Sequence, residues 1–149
     1  MIKCIVCKSK NPDYAEYCLK CGVKIIKAWT PSERIEFYRS CLRKITSEGG
    51  EGNFVVFTIP GDLFIQFAGE VNNPTVVLDI PYQNIPPGKA YVLERVIYAE
   101  TGKTPYRGEM SYQAEMNVEQ AAQITETLFR QLYNLPENYP LTSVELVLE

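Results

Sequence analysis

Cys4, Cys7, Cys18 and Cys21 follow the spacing C-x2-C-x10-C-x2-C, and nothing else in the chain restricts its folding as much. Two such pairs at this separation allow two tight knuckles, each presenting two sulfurs, to close around one tetrahedral ion. A segment of about thirty residues cannot bury enough apolar surface to fold unaided, so metal binding supplies most of its folding free energy. Gly22, directly after the second pair, suits the unusual backbone dihedrals at the end of a knuckle, and Asn11-Pro12-Asp13 offers a turn between the halves. The first knuckle has Lys8 where glycine would be more usual.

The chain has no histidine, so the four ligands are all cysteine and leave no coordination position open to water or substrate. The expected role of Cys4, Cys7, Cys18 and Cys21 is therefore structural, with zinc as the metal. A disulfide framework is disfavoured by the odd count of five cysteines and by the absence of an apolar leader before Cys4. A redox pair would leave the second CxxC unexplained. Iron in a rubredoxin-like site stays open as the alternative, because the same thiolates hold either metal.

The stretch CIVCKSKNPDYAEYCLKCG resembles the short zinc ribbons at the N-termini of many bacterial and archaeal proteins, in which C-x2-C…N…A-x-[FY]-C-x2-C-G recurs. Asn11, Ala15, Tyr17 and Gly22 match beside the cysteines. The resemblance implies contact with proteins and sometimes with nucleic acid.

The remaining sequence reads as a separate unit, giving a ribbon over 1–28 and an α+β domain over 30–149. Charge divides at the same place. Before Trp29, six lysines oppose Asp13 and Glu16, a formal +4, while the rest of the chain carries −7. Four thiolates on a divalent ion would lower the ribbon's excess to about +2. An acidic main domain argues against a phosphate-binding surface there. With no run long enough to cross a bilayer and no secretory leader, the expected location is the cytoplasm.

Thr30, Pro31 and Glu33 form a helix start, with Glu33 expected to complete a capping box, and Ile35, Tyr38, Leu42 and Ile45 mark one face up to Gly49-Gly50. Cys41 beside that stripe reads as a small packed hydrophobe. Phe54–Ile59, Leu63–Val71 and Thr75–Ile80 read as three strands of a meander, the first two joined through Pro60-Gly61. Residues 91–101 fit helix or strand, with helix favoured. Met110, Tyr112, Ala114 and Met116 alternate as in a strand with one wet face. Asn117 with Gln120 caps a helix bearing Val118, Ala121, Thr125, Leu128, Phe129 and Leu132 on one side, and PLTSVELVLE ends the chain as an edge strand.

The expected architecture is thus an antiparallel sheet packed by two long helices, in the order α-β-β-β-(α)-β-α-β. That order, with the LFIQF strand and the AAQITETLFRQLYNLPENYPL helix, resembles the type III secretion chaperone-like fold and its YbjN-like relatives over residues 30–149. The resemblance implies a protein-binding function, commonly as a homodimer. Tyr82, Tyr91, Tyr106 and Tyr139 lie near prolines or in loops, where a core role is less expected; they read either as ordinary half-buried tyrosines of a sheet surface or, as a group, as contact residues.

The expected function is a non-catalytic adaptor or chaperone-like protein whose partner is another protein. No phosphate loop, nucleophile elbow or histidine base is present, and carboxylates such as Asp62, Glu70 and Asp79 would have to converge in space to support acid–base chemistry. The alternative is a nucleic-acid-associated protein that binds through Lys3, Lys8, Lys10, Lys20 and Lys24 of the ribbon, with Tyr14 and Tyr17 between them.

Overall fold

A computed structural model describes residues 1–149. Strands β1 (Ile2–Lys3) and β2 (Lys10–Asn11) form a small hairpin at the base of the cysteine knuckles. Helix α1 (Pro31–Ser47) starts as expected at Thr30, whose hydroxyl accepts the Glu33 N–H at 3.3 Å, with Pro31 in the first turn. The capping box is not completed, because the Glu33 carboxylate accepts the Lys27 N–H at 3.1 Å instead. The buried stripe of α1 is Arg34, Phe37, Tyr38, Cys41, Leu42 and Ile45, so Ile35 is only half-buried and an arginine takes a place on the core face.

The meander follows as β3 (Asn53–Thr58), β4 (Phe64–Gly69) and β5 (Thr75–Pro81), each antiparallel to the next. Gly61, at φ +95°, supplies the turn between β3 and β4, closed by Asp62 N–H on the Ile59 carbonyl. A single 3-10 turn at Tyr82–Asn84 leads to α2 (Ala90–Thr101), so the ambiguous segment is a helix, and left-handed Gly102 ends it. The short β6 (Tyr106–Arg107) and β7 (Ser111–Asn117) precede α3 (Val118–Gln131), which opens with the full Asn117–Gln120 capping box. In β7, Tyr112 and Met116 turn inward, while Met110 lies outside the strand and is exposed. The chain closes with β8 (Ser143–Val147) on the far side of β3.

The six-stranded sheet runs β6-β7-β5-β4-β3-β8 and every pairing is antiparallel. Its inward residues, among them Val55, Phe57, Ile65, Phe67, Leu78 and Ile80, are fully buried under the helices. Helix α1 packs on β3 and β4, α3 on β5 and β7, and α2 lies beside α3. The molecule is α+β with three helices on one face of the sheet, the two long ones expected and the helix favoured for residues 91–101. The opposite face carries no helix and presents half-buried Phe54, Val56 and Phe64 and exposed Val77.

The cysteine segment packs on the larger unit. Val23 and Ile25 belong to the same buried cluster as the α1 stripe, Lys24 N–H donates to Ser40 Oγ at 3.0 Å, and Tyr17 donates to Glu36.

Candidate metal centre

Both CxxC pairs close through the same backbone bonds. Lys8 N–H donates to the Cys4 carbonyl at 3.0 Å and Cys4 N–H to the Ser9 carbonyl at 2.9 Å; Gly22 N–H donates to the Cys18 carbonyl at 2.9 Å and Cys18 N–H to the Val23 carbonyl at 2.8 Å. Lys8 and Gly22 are therefore equivalent positions, with φ of +66° and +82°. The lysine adopts a conformation that favours glycine because the knuckle requires it.

These turns aim four sulfurs at one point. Cys4 and Cys21 Sγ lie 3.7 Å apart and Cys7 and Cys18 Sγ 3.5 Å apart, and all four sulfurs lie within 4.8 Å of one another. A tetrahedral ion with metal–sulfur bonds of about 2.3 Å needs sulfurs about 3.8 Å apart. The four cysteines can thus hold one metal ion, as expected from their spacing.

Donors around the sulfurs complete the site. Ser9 Oγ lies 3.0 Å from Cys7 Sγ and 3.2 Å from Cys18 Sγ. Buried Asn11 donates from Nδ2 to Cys18 Sγ at 3.5 Å and accepts the Leu19 N–H at 2.8 Å, so one side chain ties the hairpin to the second knuckle. Burial opposes ionisation of Cys18, but the N–H groups of Cys21 and Lys20, the Ser9 hydroxyl and the Asn11 amide bring its thiol down to about 5. Burial and the neighbouring Cys4 push Cys21 up, and burial raises Cys4. Four crowded thiols cannot all ionise alone; a divalent cation supplies the charge that makes four thiolates compatible. Cys41 is fully buried in the main core, where burial raises its thiol, and it takes no part in the cluster.

The lysines of the ribbon separate into two groups. Lys3 stands opposite Lys10 in the hairpin register, and Lys8 and Lys20 are exposed. Lys24 is buried, pairing with Glu16 at 3.3 Å and donating to the Ile25 carbonyl at 3.1 Å, so it does not join a solvent-facing basic patch. Tyr14 is exposed and Tyr17 partly so.

Asp62 and Glu70 flank opposite ends of β4, which places them about 26 Å of extended strand apart, and Asp79 lies mid-strand on β5. They do not converge. Tyr82, Tyr91 and Tyr106 are exposed as expected, but Tyr139 is 1% exposed and belongs to the core. It does so because it joins a polar network that sequence reasoning missed. Arg34, with no exposed surface, donates from Nε and Nη2 to the two Glu126 oxygens at 2.8 and 2.7 Å. It also donates to the backbone carbonyls of Trp29, Tyr139 and Glu137 at 2.7, 3.1 and 2.7 Å. Tyr139 donates to Glu126 at 2.7 Å, stacks its ring 3.7 Å from the Arg34 guanidinium, and shares a 2.7 Å bond with Tyr38. All five guanidinium donors are engaged, fastening α1, α3 and the segment before β8 together. The available signal was helical spacing, since Arg34 lies four residues before Tyr38 and seven before Cys41.

No protein-family model matches the chain, and comparison with curated proteins and with solved structures finds no significant similarity. No helix is long and apolar enough to cross a membrane.

Proposed function

We propose that the chain is a non-catalytic, cytoplasmic protein-binding adaptor of the chaperone-like kind, in which a zinc-stabilised ribbon over 1–28 is joined to an α+β binding domain over 30–149. The observation that carries this reading is the sheet face left bare by all three helices, with Phe54, Val56, Phe64 and Val77 on it. A helix-free apolar face in an otherwise packed two-layer domain suits a partner surface. The chaperone-like part of the proposal rests on the sequence resemblance over residues 30–149; the elements from α1 to β8 run α-β-β-β-α-β-β-α-β, with the two-residue β6 added to the expected order. Zinc is the proposed metal because a closed tetrahedral set of four thiolates is the usual structural zinc site, with iron as the alternative.

The test is affinity capture from native lysate, with wild type and Val77→Lys run in parallel. Val77 sits opposite Glu115, so the new lysine has a partner and the fold survives. Capture of the same proteins by both forms, or of none by wild type, sinks the reading.

A second reading, nucleic-acid binding through the ribbon, draws on the Lys3–Lys10 juxtaposition with Lys8 and Lys20 nearby. Filter binding of single- and double-stranded DNA and RNA at low salt tests it, and undetectable affinity removes it.

A further inference from the structure

The charged strand residues of the bare face are all acidic. Asp79, Glu115 and Glu145 lie on it, in register with Gln66, Val77 and Val56 respectively; Lys103 borders it only at the β7 edge, beside Gln113 and Glu115. Asp79 occupies its middle, on β5 between Gln66 and Gln113. Its Oδ1 is shielded from solvent and no donor of the chain reaches it, in contrast to the saturated Arg34–Glu126 network on the helical side. A shielded carboxylate oxygen without a donor carries a cost, and the half-buried side chain is free to take one from outside the chain.

Beside Asp79 opens a cleft of about 270 Å³, lined by Phe54, Gln66, Phe67 and Ala68. Small-molecule pockets run from about 300 to 1,000 Å³, so this cleft suits one inserted side chain better than a cofactor. Its apolar wall and single anionic end match a long aliphatic stem with a cationic head. A second copy of the same face would set carboxylate against carboxylate, which disfavours self-association through it.

We infer that the bare face docks a segment of another protein that inserts a lysine or arginine into this cleft, so that its charged head reaches Asp79 while apolar neighbours cover Val56, Phe64 and Val77. The inference deepens the adaptor reading and rests on it. It fixes the partner's chemistry: a cation within an otherwise apolar stretch.

The experiment selects random linear twelve-residue phage-displayed peptides on the full-length, zinc-loaded protein, on Asp79→Asn, and on Ala68→Gln, which fills the cleft. Asp79→Asn removes an unpaired charge without changing shape, so it folds, as a thermal melt verifies. Wild type is expected to enrich peptides with one Lys or Arg flanked by apolar residues. Their affinity should drop about thirtyfold or more on Asp79→Asn and should also fall on Ala68→Gln. Enriched peptides without a cation preference, or with equal affinity for Asp79→Asn, overturn the inference while the adaptor reading stands. Failure to enrich any peptide overturns both. A dimer in analytical ultracentrifugation that Val77→Lys dissociates assigns the face to a second copy and overturns the inference.

Discussion

Replacing Glu126 by alanine strands a guanidinium that has no exposed surface, keeping its three carbonyl partners and losing both charge-assisted bonds. Removing one member of a buried ion pair costs about 3–5 kcal/mol, because the remaining charge stays desolvated. The Tyr139 hydroxyl also loses its acceptor, although Tyr38 remains beside it. With a urea m-value of about 2 kcal/mol/M for a chain of this size, the midpoint should fall by about 2 M. That is a large share of a typical stability of about 5–15 kcal/mol. The single tryptophan, Trp29, lends its carbonyl to the same guanidinium, so its fluorescence reports the site directly while circular dichroism follows the whole fold. Tyr139→Phe, which removes one hydroxyl and keeps the stacked ring, should cost only about 1–2 kcal/mol. The double replacement Arg34→Met with Glu126→Leu should recover much of the loss, held back by the carbonyls of Trp29, Glu137 and Tyr139 that it leaves without donors. A Glu126→Ala midpoint shift below about 0.5 M would refute the reasoning, since it would mean that the arginine is hydrated.

Other outcomes follow from the same structure. Cys18→Ser should release the metal and open the ribbon, read by elemental analysis and by alkylation of Cys4 and Cys21; a variant that keeps one ion per chain with protected thiols would count against the four-thiolate site. A chain starting at Ala28 should fold with reduced stability, because it lacks Val23 and Ile25 from the shared core; failure to fold would contradict the boundary at 28–30. Burial raises the hydroxyls of Tyr38, Tyr133 and Tyr139 above the ordinary tyrosine value. Because the folded state holds these protons more tightly than the unfolded chain, their contribution is complete below about pH 10 and is lost as pH climbs beyond it. Ultraviolet titration should show these three of the ten tyrosines ionising only with unfolding, whereas smooth titration of all ten in the native state would be contrary. Lys8→Gly should stabilise the first knuckle by about 1 kcal/mol by relieving its left-handed backbone; the assay is metal retention against a chelator, and faster loss would be the contrary result.

The metal ligands were legible because their chemistry is local. A CxxC pair specifies its own knuckle, the absence of histidine fixes the donor type, and Gly22 marks the turn that both halves repeat. The meander and the Asn117–Gln120 cap were legible for the same reason, each resting on a handful of neighbouring residues. Tertiary structure alone decided the placement of Arg34, Tyr139 and Asp79. Arg34 enters the core because Glu126, ninety-two residues away, meets it there, and Tyr139 leaves its proline-rich loop for the interior because that pair offers its hydroxyl an acceptor. Asp79 is shielded by strands that come together only when the sheet closes. Periodicity records which residues share a face; which face is covered, and whether a charge on it finds a partner, depends on contacts between distant segments that no local pattern contains.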